Sequence, residues 1–191
     1  VGSVYGGGWD MYAEPLNESA EYTNVTIEGS PVIGAVFGGG FRGSIGAGDS
    51  ETVHLTITGG TIGAVYGGGQ GGPDPNSNST DYSSANTTGR AYVVGGVVME
   101  ITGGTIDSSS FSFTDRVMKV SNDQTIDFWL DPEIASGNVY GGGYGAAKGY
   151  IDSRGVNDCA KVTGDIRLTI GGTAVVNGSV YGGGKGTPLS E

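Results

Sequence analysis

The chain has 191 residues, of which 40 are glycine and only 15% are charged, so glycine stands at about three times its ordinary share. The glycines fall in GG and GGG clusters without a three-residue period and only 6 prolines are present, which excludes collagen. With 9 basic residues against 20 acidic ones and a formal charge of −11, the chain lacks the basic footprint that nucleic acid requires, and an anionic membrane surface would repel it.

Leucine, glutamate and lysine, which build helices, are scarce, whereas valine, isoleucine, threonine and tyrosine, which suit strands, are plentiful. The expected class is all-β. The first element, Val4–Gly8, is one of five copies of Val-aromatic-Gly-Gly-Gly; the others are Val36–Gly40, Val65–Gly69, Val139–Gly143 and Val180–Gly184. Each copy follows a glycine and a small residue. The chain opens inside one copy and closes just after another, as a piece cut from a longer protein would.

The insertion 9–22 comes next, with Trp9 and Tyr12 beside Glu14, Glu18 and Glu21. Aromatic faces flanked by carboxylates can stack on sugars and hydrogen-bond their hydroxyls. A second repeated element then appears: VTIEGSPVIGAV at 25–36, LTITGGTIGAV at 55–65, MEITGGTI at 99–106 and LTIGGTAVVNGSV at 168–180. In Val53-His54-Leu55-Thr56-Ile57-Thr58 every second side chain is apolar, the alternation of a strand with one buried face. Gly59-Gly60 and Gly103-Gly104 supply the positive φ of a sharp bend. The unit is a strand, a GG turn, a short strand, then the Val-aromatic-GGG string.

The insertion 71–94 is polar and loop-like. Its Asp74, Asn76 and Asn78 have the alternating oxygens of a calcium loop, but Ser79 stands where glycine is needed and Ala85 where a bidentate glutamate is needed. No metal or other cofactor is expected. The stretch Tyr92 to Met99 is broken by Gly95 and Gly96 and is too short to span a bilayer. The insertion 107–136 reads as a β-hairpin, with Phe111–Phe113 and Thr125–Leu130 as strands around Ser121–Gln124. Phe111, Phe113, Phe128 and Trp129 either pack on the frame or grip a partner. The last insertion, 144–160, is a solvated loop. Trp9, Tyr12, Phe111, Phe113, Phe128 and Trp129 are therefore the candidate ligand-binding residues.

Repeats at irregular intervals suit a stack of coils that tolerates insertions better than the blades of a propeller. Stacked at about 4.8 Å, Tyr5, Phe37, Tyr66, Tyr140 and Tyr181 would form an aromatic ladder and the preceding valines an aliphatic one. The expected fold is a right-handed parallel β-helix or β-solenoid of about five coils over 1–191, with irregular loop and hairpin insertions.

The strings GGTIGAVYGGG, GNVYGGG and GSVYGGG resemble the glycine-rich repeats of very large, adhesin-like surface proteins of gut Gram-positive bacteria. That resemblance covers the repeat elements and not the insertions. It implies a β-solenoid, an extracellular or cell-surface setting and a display role, and brings no catalytic residue with it. It also makes a host glycoprotein (an immunoglobulin among the candidates) or a glycan the partner to consider.

Catalysis is weighed on the residues themselves. Glycoside hydrolysis needs two carboxyl groups roughly 5–10 Å apart, yet Glu28 and Glu100 lie at different offsets from the turn. Cys159 and His54 are the single residues of their kinds and form no recognisable dyad. A non-catalytic binding module is the leading expectation, beside a carbohydrate-active enzyme and a purely structural stalk. A Thr-x-Thr ice-binding ladder fails, because Thr56-Ile57-Thr58 is answered by Thr26-Ile27-Glu28 and Glu100-Ile101-Thr102.

Overall fold

The computed structural model describes residues 1–8, 21–46, 51–71, 91–111, 117–120, 124–127, 135–145 and 160–186. The described residues contain strands and no helix. In chain order they are β1 (Ser3–Tyr5), β2 (Thr23–Ile27), β3 (Val32–Ile33), β4 (Ala35–Phe37), β5 (Glu51–Ile62), β6 (Val65–Tyr66), β7 (Gly96–Ile106), β8 (Val117–Val120), β9 (Gln124–Asp127), β10 (Val139–Tyr140), β11 (Ile166–Ile170), β12 (Val175–Val176) and β13 (Val180–Tyr181).

Equivalent residues of successive repeats pair in parallel. The Val-aromatic strings form one five-stranded sheet in the order β1-β4-β6-β10-β13, with Val36 opposite Val65, Val65 opposite Val139, and Val139 opposite Val180. The upstream elements form the other sheet, β2-β5-β7-β11, with β3 and β12 as short flanking partners. There Val25, Leu55, Met99 and Leu168 share one register position, and Ile27, Ile57, Ile101 and Ile170 another. Two further rows of single parallel bridges link Phe41, Gln70, Tyr144 and Lys185, and Ile45, Val93 and Val162. Five repeats thus meet in one sheet and four in the other.

The alternation expected for Val53–Thr58 is met: Val53, Leu55 and Ile57 are buried, His54 and Thr56 half-buried, Thr58 exposed. The apolar set meets the inward valines Val36, Val65 and Val139 in one continuous core. In β4, β6 and β10 both faces of the Val-aromatic sheet are buried, as parallel sheets require. Its valines enter the main core, while the rings form a cluster of their own with Ala35, Ala64 and Tyr144.

The rings stack as a ladder. Tyr5 lies 4.9 Å from Phe37, Phe37 4.7 Å from Tyr66, Tyr66 5.0 Å from Tyr140 and Tyr140 4.9 Å from Tyr181, with planes within 9°. The spacing is the strand spacing, so sheet register and ring stacking support the same arrangement. Phe41 meets Tyr5, and Tyr144 meets Tyr66, edge-on. The Tyr5 hydroxyl donates to Gln70 Oε1 at 2.5 Å.

Glycine serves two separate purposes. The second residue of each GG pair bends the chain, with φ of 93° at Gly60 and 83° at Gly104. This bend lies inside continuous strands: β5 and β7 run through their glycines with register shifts around Thr58, a bulge where a turn between two strands was expected. The GGG triplets work by close approach. A Cβ on Gly67 would fall 2.1 Å from the carbonyl oxygen of Gly141 and 2.7 Å from Val97 Cγ1, a clash that no side chain could relieve.

A candidate display site at the ends of the insertions

The insertions join the frame at places that the repeat defines. Beyond the bridge row of Gln70 and Tyr144, Ala91 and Ala160 pack in the frame again. Both returning alanines are left-handed, with φ of 50° and 55°, a conformation that side chains rarely adopt. Each packs its Cβ against the third glycine of a triplet, Ala91 on Gly69 and Ala160 on Gly143. Two residues on, Val93 and Val162 bridge in parallel. In the repeat without a long insertion, Gly43 holds the corresponding place, its carbonyl oxygen against Gly40 as those of Ala91 and Ala160 lie against Gly69 and Gly143, and the left-handed residue is its neighbour Arg42, with φ of 60°. Nothing in the local sequence marks these alanines. Only the stacked neighbours reveal them as a shared re-entry point.

The insertion 107–136 leaves from another side of the repeat. Where earlier repeats read Ile33-Gly34-Ala35-Val36 and Ile62-Gly63-Ala64-Val65, this one opens between Ile106 and Gly137. The Asp107 amide donates to the Ile62 carbonyl at 2.9 Å, as the Gly63 amide does to Ile33, and the Gly137 amide donates to Gly63 at 2.7 Å. Asp107 starts a tight turn: its carboxylate accepts from the Ser109 hydroxyl at 2.5 Å and the Ser109 amide at 3.0 Å. Those bonds hold its pKa below the usual aspartate value. At the return, Asn138 ties two repeats together, accepting from the Ser179 amide at 2.7 Å and donating to the Tyr140 hydroxyl at 3.1 Å.

The hairpin expected within 107–136 is present with a different first strand. Strand β8 pairs antiparallel with β9, from Val117 opposite Asp127 to Val120 opposite Gln124. Phe111 belongs to no strand. It is half-buried and its amide closes a turn onto the Ser108 carbonyl at 3.1 Å. The other aromatic candidates, Trp9, Tyr12, Phe113, Phe128 and Trp129, lie outside the described residues, as do Cys159 and the Asp74–Ala85 stretch.

The outer face of the β2-β5-β7-β11 sheet is polar. One register row carries Asn24, His54, Val98 and Arg167, and the next Thr26, Thr56, Glu100 and Thr169. Glu100 thus interrupts the threonine row. Arg167 Nη1 pairs with Glu51 Oε1 at 3.0 Å, and His54 Nε2 lies 3.9 Å from Glu51 Oε2. Among the described residues no three His, Cys, Asp or Glu side chains gather as a metal site would require, and no helix is long and apolar enough to cross a membrane. No family model, curated protein or solved structure matches the chain.

Proposed function

We propose that the chain is a non-catalytic segment of a bacterial cell-surface protein, a right-handed parallel β-solenoid whose insertions are displayed to bind a host or neighbouring-cell ligand. One observation supports this reading: the parallel bridge rows Phe41-Gln70-Tyr144 and Ile45-Val93-Val162 are both kept, although the chain between them has a different length in each repeat. A frame that holds its register across such segments leaves their sequences free to serve recognition, and loops on rigid scaffolds commonly do so. Low-entropy aromatic anchors on a pre-organised frame also lower the cost of binding. The resemblance of the VYGGG strings to adhesin-like surface repeats supports the extracellular setting. It also supports a host glycoprotein, immunoglobulins included, or a glycan as the partner class.

The test is capture from mucosal secretions by the folded chain, read by mass spectrometry, beside a variant lacking 107–136. A glycoprotein retained by the parent and lost by the folded deletion assigns the contact to this insertion. Equal retention by both moves the contact elsewhere. No specific retention by a folded parent makes the segment a spacer.

A further inference from the structure

We draw no further inference here: the strongest candidate, the side-chain cluster of Glu51, His54 and Arg167 on the outer face of the β2-β5-β7-β11 sheet, carries nothing, because Arg167 and Glu51 already pair with each other in the open and nothing in the structure shows what covers that face.

Discussion

At the scale of single residues, two positions show how closely the stack constrains its side chains. Gly67 faces the backbone of Gly141, which cannot move without breaking pairs on both sides. Gly67→Ala is expected to cost at least about 3 kcal/mol, the upper range for overpacking a core. Gly182→Ala, with open space before it, should change single-chain stability by less than about 1 kcal/mol. Chemical denaturation of dilute samples compares the two. A near-neutral Gly67→Ala would mean that the repeats stack less tightly than described.

Tyr5 makes a pH prediction. Burial pushes its hydroxyl up to about 12 from the usual 10.0, against a smaller opposing effect of a hydrogen bond with Ser3. The folded state therefore keeps the proton after the unfolded state has lost it. The stabilisation is complete below pH 10 and is lost as pH rises from 10 to 12, amounting to about 3 kcal/mol at one pH unit per 1.36 kcal/mol. Tyr5→Phe removes the donor to Gln70 and should be less stable than the parent at neutral pH by about 1 kcal/mol. The order should reverse at about pH 11, where the parent's loss overtakes that difference. Denaturation midpoints of both proteins across this range decide it, and parallel curves would refute the buried-hydroxyl account.

At the scale of elements, the insertion 107–136 is expected to be separable from the strands that flank it, at the cost of the buried Ala135 beside Gly63. Joining Ile106 to Gly137 rebuilds Ile-Gly-Asn-Val, close to the short links Ile33-Gly34-Ala35-Val36 and Ile62-Gly63-Ala64-Val65. The deletion is expected to fold with an unchanged β spectrum and a similar melting temperature, because β7 and β10 keep their parallel partners. Loss of cooperative melting would show that the insertion is part of the core. The strands themselves were legible, since Val53–Thr58 alternates with period two and the Val-aromatic string repeats. The first strand of the hairpin was not. Phe111–Phe113 has the aromatic content of a strand, but pairing begins at Val117, where partners across the turn decide register.

For the molecule as a whole, each repeat touches only its neighbours, so stability should fall toward the ends. Leu55 and Leu168 hold the same register position two strands apart. Leu55 is 1% exposed inside the stack, whereas Leu168 is half-buried in the terminal strand β11. Leu55→Ala is expected to cost about 2–5 kcal/mol and Leu168→Ala roughly half as much or less. Equal losses in thermal melts would contradict this difference in burial between β5 and β11.

The amino-acid sequence by itself determined that the described residues are all-β, which strings are equivalent and which strand face is apolar. It could do so because period-two alternation and recurring glycine clusters are local consequences of strand pleat and backbone bend. It set the insertion edges too wide, since Val93 and Tyr144 bridge within the frame. Tertiary structure alone decided that the GG bend is a bulge inside β5 and β7. It also decided that Ala91 and Ala160 share a left-handed conformation against the third glycine of a triplet. Each of these depends on which backbone lies about 4.8 Å away across the stack, and that neighbour is distant along the chain.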